Sequence, residues 1–465
     1  MINLIIGISK YLLIILIAMY TLSCFWIFTY QDADKKRSML INQNIVMFLL
    51  HLVAFIVLFL QKNYDIAILG FYLMQVLFFV IVLISYTKIY PKVSRVVVNN
   101  MCMLLCVGFI VLTRLKYALA IKQFIIACIG VVVSLFVPVI IRKIKMLSNL
   151  RILYGIIGVF SLAFVAIAGR TTYGAQLGFD IAGISVQPSE VVKIVFVFFV
   201  AASFKKSLEF KNVVITTVVA AAHVLILVMS TDLGAALIIF VVYITMLYVA
   251  TKQPLYLLAG GVSGAGAAVV AYNLFSHIRV RVNAWQDPLG TYDTGGYQVA
   301  QSLFAIGTGS WIGRGLLQGE PDKIPVAESD FVYSAICEEL GLIFGICIVL
   351  ICVSVYIMFL NIAMELRGTF YRLVALGLGT CYIFQVFLTI GGVTKFIPST
   401  GVTLPLVSYG GSSLFSTLVM FAIIQGLYIV REDEEEDIER KKKAKLRRET
   451  RNEALRKRAR NRRLN

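Results

Sequence analysis

Residues 186–204 read VQPSEVVKIVFVFFVAASF, and this stretch decides the fold class. From Ile194 onward it is a continuous apolar run, without the alternation that marks a half-buried strand. Similar runs recur along the chain, which has 465 residues, 59% of them hydrophobic, and a mean hydropathy of +0.87. A bilayer offers no water to satisfy backbone amides, so a spanning segment must be a helix or part of a closed barrel. Continuous runs favour helices, and the sequence predicts an all-α polytopic membrane protein.

Counting the apolar runs gives about 13 transmembrane helices, including one over 187–204 and one over 331–360. An odd number places the two termini on opposite sides of the membrane. Lys and Arg are more frequent in the short loops that share a side with the C-terminus, which predicts a cytoplasmic C-terminus and an outside N-terminus. The long loop at about 276–330 then faces outward.

Polar residues stand at the head of the quoted span. Glu190 and Lys193 would each cost about 2.5–3.5 kcal/mol at the centre of a membrane helix, but at positions i and i+3 they share a face and can pair. Pro188 suits the first turn of a helix. Two interpretations stay open: a structural ion pair, or the polar wall of a substrate cavity. Asp232, between two spans, is interpreted as a helix N-cap or as a functional carboxylate.

Two polar stretches interrupt the apolar pattern on the predicted outer side. The loop at 276–330 carries arginines that suit phosphate, tryptophans that suit sugar faces, and a short apolar piece, VAQSLFAIG, expected to be a re-entrant or interfacial helix. Residues 394–413 read TKFIPSTGVTLPLVSYGGSS. Broken polar backbone at this depth is tolerated only where it is buried or lines a cavity. Together the stretches predict one external site for a lipid-borne polar substrate.

Other features narrow the function classes. The eight cysteines lie in apolar runs and the three histidines are scattered, so neither disulfides nor a metal site is predicted. The tail at 431–465 has mixed charge, with its acidic residues first. Nucleic-acid binding is one interpretation; the preferred one is a positive-inside signal attracted to the anionic inner leaflet. No nucleic-acid partner is therefore expected.

Five motifs occur in one order: GISVQPSEVVK, TDLGAAL, YQVAQSLFAIG, SDFVYSAICEELG and TLPLVSYGGSS. This set resembles the SEDS family (shape, elongation, division and sporulation), which includes FtsW, RodA and SpoVE, over about residues 95–430. The resemblance implies a ten-helix glycosyltransferase core at 96–430 that polymerises lipid II on the outer face of the bacterial cytoplasmic membrane, in division, elongation or sporulation. The three spans of residues 1–95 then form an N-terminal extension.

The resemblance also implies site residues. Asp330, in SDF, matches the essential aspartate of the family. The substrate-binding candidates are Arg281, Glu190, Lys193, Ser408 and Tyr409. A base is needed for the attacking hydroxyl, and a buried carboxylate with a raised pKa can supply it. Inversion requires only that one base, and cations can hold the leaving pyrophosphate. No cofactor is predicted with certainty; a divalent cation, Mg or Mn, is the alternative left open.

The segment 325–340, PVAESDFVYSAICEEL, holds three further carboxylates. Glu338 and Glu339 are expected to order the helix bundle by pairing, and Glu328 to lie on the loop surface. Family members work with a class B penicillin-binding protein, a transpeptidase, and the resemblance implies one here. The small residues of ALGLGT at 375–380 predict its docking surface. The alternative functions are a flippase for the lipid-linked precursor and a scaffold without activity.

Overall fold

The computed structural model describes residues 2–30, 32–62, 64–172, 175–181 and 184–464, and most of them are helical. The predicted N-terminal extension contains α1 (Ile2–Trp26), α2 (Ala33–Gln61) and α3 (Ile66–Ile89). The remaining elements are α4 (Arg95–Leu115), α5 (Tyr117–Ser134), α6 (Val137–Lys143), α7 (Arg151–Ala168), β1 (Arg170–Thr172), β2 (Ala175–Ile181), β3 (Ile184–Val186), α8 (Pro188–Lys206), α9 (Phe210–Met229), α10 (Leu233–Thr251), α11 (Pro254–Leu274), α12 (Ser276–Gln286), α13 (Tyr297–Gly309), α14 (Val332–Leu340), α15 (Leu342–Glu365), α16 (Thr369–Val393) and α17 (Gly411–Leu464).

Twelve helices of the described chain are long and apolar enough to cross a membrane, so the protein is a multi-pass membrane protein but the count of 13 is not confirmed. The difference is α8, the quoted helix, which is 19 residues long and is not among the twelve. Its charged residues, Glu190 and Lys193 near one end and Lys205 and Lys206 at the other, dilute its apolar character. Most of α8 is nevertheless buried inside the bundle.

The expectation of an all-helical chain missed a small antiparallel sheet between α7 and α8. Strand β1 pairs with β2, and β2 pairs with β3, with Phe179 opposite Val186. The backbone N–H of Gln187, just after β3, donates to the hydroxyl of Ser412 at 2.8 Å. The sheet therefore lies against the start of α17, on the same side as the loop between α11 and α14. We call this the loop side.

The span predicted over 331–360 is two helices, because the chain breaks at Gly341. This glycine has a φ of 92°, and a Cβ there would lie 2.5 Å from the backbone nitrogen of Gly313. The N–H of Leu342 donates to the carbonyl of Ser310 at 2.9 Å, so the loop caps the start of α15. With 24 residues, α15 is about 36 Å long and crosses a bilayer alone. The preceding helix, α14, and its acidic residues therefore belong to the loop side.

The extension packs against the core through polar contacts inside apolar surroundings. Helix α1 lies on α15, and α2 lies on α4. The hydroxyl of Tyr20 donates to Oδ1 of Asn100 at 3.0 Å, and Nδ2 of Asn100 donates to Ser354 at 2.9 Å. Asn99 donates to the side-chain carbonyl of Gln43 at 3.1 Å. These bonds fix the extension in one register against the core.

The surface predicted for the partner on ALGLGT is wrong, because this segment lies inside the bundle. Helix α16 packs between α8, α10 and α15. A Cβ at Gly377 would lie 2.6 Å from Sδ of Met246 and 2.7 Å from Cγ1 of Val197. The small residues bring helices of this chain together, and leave no room there for another protein.

Helix α17 runs from the loop side through the bundle and continues as the charged tail. The acidic start of the tail pairs with basic residues of the core: Lys92 Nζ and Arg142 Nε each lie 2.7 Å from a carboxylate oxygen of Asp433. Arg431 pairs with Glu365 at the end of α15. We call this opposite face the tail side.

Candidate functional site

Asp330 and Arg281 come together on the loop side around Gly401. Asp330 lies two residues before the start of α14 and is half-buried, whereas Arg281 projects from α12. A Cβ at Gly401 would lie 3.5 Å from Oδ2 of Asp330 and 3.8 Å from both terminal nitrogens of Arg281. Gly401 has a φ of +73°, a conformation that other residues rarely adopt. The glycine thus keeps open the space between a carboxylate and a guanidinium.

Helix α12 is anchored to the second polar stretch. Nη1 of Arg281 donates to the carbonyl of Ser399 at 3.0 Å, and Nε1 of Trp285 donates to the carbonyl of Lys395 at 3.1 Å. The first bond fixes one edge of the guanidinium. Because guanidinium has several donors in a planar fork, its remaining edge can bind an anion next to Asp330.

The surroundings of Asp330 strengthen it as a base. Burial raises the pKa of its carboxyl group above the ordinary aspartate value, and neighbouring Glu328 acts in the same direction. The hydroxyl of Ser329 and the charge of Arg281 oppose this rise in pKa. Burial also lowers the pKa of Arg281, while Asp330 opposes that change. The aspartate can therefore accept a proton more readily than an exposed one.

Ser408 and Tyr409 join the second polar stretch to the residues before Asp330. Oγ of Ser408 donates to the carbonyl of Ser329 at 2.5 Å and accepts from the N–H of Leu404 at 2.9 Å. The N–H of Tyr409 donates to the carbonyl of Glu328 at 2.7 Å. Ser408 is buried and its hydroxyl is engaged within the protein. It supports the backbone at Asp330; contact of either residue with substrate stays a prediction.

The loop-surface expectation for Glu328 is wrong. Its side chain is only 13% exposed, and Oε1 lies 2.6 Å from Nζ of Lys116, at the start of α5. No local pattern predicts this pair, since its partners are 212 positions apart.

Glu190 and Lys193 form the predicted ion pair within the bundle. Nζ of Lys193 lies 2.9 Å from Oε2 of Glu190 and donates to Oε1 of Gln385 at 2.9 Å. Ser416 donates to the same Glu190 oxygen at 3.1 Å, and Gln385 donates to the carbonyl of Thr403 at 3.0 Å. The pair thus connects α8 with α16, α17 and the second polar stretch. Contact of the pair with substrate stays a prediction.

Asp232 is the N-cap of α10, as one of its two interpretations predicted. Its Oδ1 accepts the N–H of Ala235 at 3.1 Å. The other oxygen accepts from the hydroxyl of Ser189 at 2.9 Å and from the amide of Gln187 at 3.1 Å. Asp232 therefore also fixes the start of α8, whose first turn contains Glu190.

Glu339 pairs as predicted. Its Oε1 lies 2.8 Å from Nε of Arg114, whose Nη2 donates to the carbonyl of Gly319 at 3.2 Å. The carboxylate thereby ties the end of α4 to the loop and to α14. Glu338, its neighbour, has a weaker partner: Nη1 of Arg314 is 3.8 Å away.

The candidate site offers few ligands for a metal ion. Among the described residues, no three His, Cys, Asp or Glu side chains group closely enough to hold one. At Gly401 the single carboxylate of Asp330 faces a guanidinium, which opposes a second positive charge. These residues do not fit a metal held by the protein alone.

Three residues of the site were not predicted from the sequence: Gly401, Ser399 and Gln385. The first two lie in PSTG, where a glycine after a proline signals an unusual backbone conformation. That signal does not reveal which side chains lie beside the glycine. Gln385 is an isolated polar residue in an apolar run, and this isolation is the only sign in the sequence that it has a polar partner.

The chain is similar to known proteins of one family. A family model described as cell cycle protein, of FtsW, RodA and SpoVE, matches residues 95–432. The peptidoglycan glycosyltransferase RodA of Mycobacterium leprae is 34% identical over 321 residues, covering 66% of this chain and 69% of that protein. A probable peptidoglycan glycosyltransferase FtsW of Aliivibrio salmonicida is 33% identical over 289 residues, 58% and 70% of the two chains.

Solved structures share the fold. A chain from a peptidoglycan synthase complex, solved to show how polymerization and crosslinking are coordinated, has a TM-score of 0.63 at 23% identity, and the match covers 73% of this chain and 98% of that one. RodA of Thermus thermophilus has a TM-score of 0.54 at 21% identity, covering 73% and 97%.

Proposed function

Because the chain belongs to the FtsW/RodA/SpoVE family of cell cycle proteins, we propose that it is a peptidoglycan glycosyltransferase that polymerises lipid II into glycan strands. The observation that carries the proposal is the meeting of Asp330 and Arg281 around Gly401. A base and an anion-binding group side by side are what glycosyl transfer from a lipid pyrophosphate needs.

The reaction joins the 4-hydroxyl of one sugar to the anomeric carbon of another. Asp330 takes the proton of the hydroxyl as the new C–O bond forms, and the bond from the anomeric carbon to the pyrophosphate oxygen breaks. Arg281 donates hydrogen bonds to the charge that develops on the departing pyrophosphate. One displacement inverts the anomeric centre, and it requires no covalent intermediate. We propose separately that a divalent cation, Mg or Mn, arrives with the pyrophosphate. The proton transfer to Asp330 and the displacement at the anomeric carbon do not depend on it.

The site belongs on the outer face of the bacterial cytoplasmic membrane. The tail side carries the pairs of Lys92, Arg142 and Arg431 with acidic residues, and these basic groups fit the cytoplasmic face. The loop side is then outside, as is the N-terminus. A class B penicillin-binding protein is the proposed partner, because cross-linking of the strands needs a transpeptidase.

The flippase alternative has less support. The relatives carry the name glycosyltransferase. The open polar groups of the site, Asp330 and Arg281, lie on one side, whereas Glu190 and Lys193 inside the bundle are bonded to each other. A path across the membrane would need polar groups that can exchange partners along its length.

The test is polymerisation of purified lipid II by the purified protein, followed as glycan strands on gels. Asp330→Asn is expected to lower the rate at least a hundredfold, in line with the loss of a general base, while the protein stays folded. Glu328→Gln, on the same segment, is expected to lose far less activity. If Asp330→Asn polymerises at a near-normal rate, the assignment of the base is wrong.

A further inference from the structure

A cavity lies on the loop side, beside the end of α14 that is farther from Asp330. Its volume is about 160 Å³. It is enclosed by α13, by the loop before Pro325 and by α14, and its polar lining residues are Gln301, Thr308, Arg314, Glu320, Lys323 and Glu338. The glycosyl transfer described above uses none of these side chains.

The two adjacent glutamates of α14 differ in their bonding. Both are buried, with exposed fractions of 4% for Glu338 and 3% for Glu339. Glu339 has Arg114 at 2.8 Å. Oε1 of Glu338 accepts only the N–H of Glu320 at 2.8 Å, and no donor among the described residues reaches its other oxygen, Oε2. A buried carboxylate without a close cation is costly, so Glu338 lacks a partner that Glu339 has.

The charges around the cavity restrict what can fill it. The unbonded oxygen of Glu338 is buried at the wall of the cavity, and it calls for a cationic hydrogen-bond donor. Lys323 is already paired with Glu320, and both are largely exposed. Arg314 is 45% exposed and 3.8 Å from Glu338, so its guanidinium can bind an anion at the opening of the cavity. A metal ion is disfavoured next to that guanidinium. The combination suits an ammonium group with a carboxylate beside it.

We propose that this cavity binds diaminopimelate as the diamino-acid residue of the stem peptide of lipid II, with its side-chain ammonium on Glu338 and its side-chain carboxylate on Arg314. This proposal rests on the proposed function. The spacing agrees: Glu338 lies eight positions after Asp330, and the six helical steps from Val332 to Glu338 rise about 9 Å. The diamino acid is the third residue of the stem, and three extended residues reach about 10–11 Å from the sugar. The cavity therefore binds the stem peptide while Asp330 acts on the sugar.

The first experiment compares two lipid II substrates, which carry diaminopimelate with a free or an acetylated side-chain amine. The wild-type protein is expected to lose about tenfold in kcat/KM on acetylation, mainly through KM. Glu338→Gln keeps the shape and the bond from Glu320 but removes the charge, and it is expected to use both substrates equally. Asp322→Asn, an exposed change on the same loop, is expected to keep the wild-type preference.

A second experiment does not depend on polymerisation. The free stem tripeptide ending in diaminopimelate, with its terminal α-carboxyl amidated as in the longer stem, is titrated into the purified protein and binding is followed by calorimetry. The wild-type protein is expected to bind it at least tenfold more tightly than Glu338→Gln does. If polymerisation fails but the tripeptide binds, the proposed function is wrong and the cavity assignment stands. If wild type polymerises both substrates equally and the tripeptide does not bind, the cavity assignment is wrong and the proposed function stands.

Thermal unfolding separates recognition from a structural role. Glu339→Gln is expected to lower Tm, because it leaves Arg114 without its buried partner. Glu338→Gln is expected to leave Tm unchanged or to raise it, since it removes a buried charge without a close partner. If Glu338→Gln lowers Tm as much as Glu339→Gln and leaves the substrate preference intact, Glu338 is structural and the proposal is overturned.

Discussion

Breaking the buried ion pair of Glu190 and Lys193 is expected to cost more than removing both charges. The side chains are only 10% and 2% exposed, and their charged atoms are 2.9 Å apart. Glu190→Gln keeps an acceptor for Ser416 but leaves the ammonium of Lys193 with the neutral carbonyl of Gln385. Lys193→Met leaves the carboxylate with one hydroxyl. Each single change is expected to lower the free energy of unfolding by about 3–5 kcal/mol.

The double variant, Glu190→Gln with Lys193→Met, leaves an amide and a thioether, and is expected to cost less than either single change. The two single losses sum to about 6–10 kcal/mol. The interaction energy is therefore expected to be at least about 3 kcal/mol, the upper end of the range for residues in direct contact. The free energies would be measured by titrating the four proteins in mild detergent with dodecyl sulfate and following tryptophan fluorescence.

The matched control is the pair of Glu320 and Lys323, which has the same i, i+3 spacing but side chains 60% and 63% exposed. Its two losses are expected to be small and additive, because water solvates both groups. If the losses at Glu190 and Lys193 also add, the two residues act independently, and burial does not couple their charges.

Three further outcomes are expected. Polymerisation should fall as pH falls through the raised pKa of Asp330. Arg281→Gln should move this acidic limb of the rate–pH profile to higher pH, because it removes the cation that opposes the rise in the pKa of Asp330. Arg279→Gln, on the exposed face of α12, should leave the limb in place, and a limb that moves in neither variant would contradict the coupling of Asp330 to Arg281. Gly401→Ala should lower the polymerisation rate severalfold with little loss of Tm, since its Cβ enters the space between the carboxylate and the guanidinium. A large loss of Tm that accompanies the loss of rate would indicate backbone strain alone. Ser408→Ala should lower kcat and Tm with KM unchanged, whereas a rise in KM alone would place the hydroxyl on the substrate.

Local pattern predicted the elements that depend on local physics. Apolar length located the spans, and i, i+3 spacing predicted the pair of Glu190 and Lys193. The break at Gly341 was missed because the apolar run continues through it, and the loop that caps α15 lies about 30 positions earlier. The three-stranded sheet was missed for a similar reason: its strands are short and lie between two long helices.

The site depended more on resemblance than on pattern. A carboxylate before a span is visible in the sequence, but its role for Asp330 came from the motif. Local pattern could not identify the neighbours of Asp330, which are Gly401 and Arg281. These two residues are 120 positions apart, and neither segment has a periodic pattern that would predict their contact. Glu328 was misjudged because a loop glutamate is ordinarily solvated, and only the fold brings Lys116 to it.

The order in which the ribosome delivers these segments has a consequence for biogenesis. Asp330 and α12 are synthesised before the stretch that contains Gly401 and Ser408, and Ser416 of α17 follows last. A nascent chain inserted only as far as α16 therefore holds the base without the backbone that supports it and without the partner hydroxyl of Glu190. The site is complete only when the final span enters the membrane, so we expect no polymerisation by the nascent chain before that point.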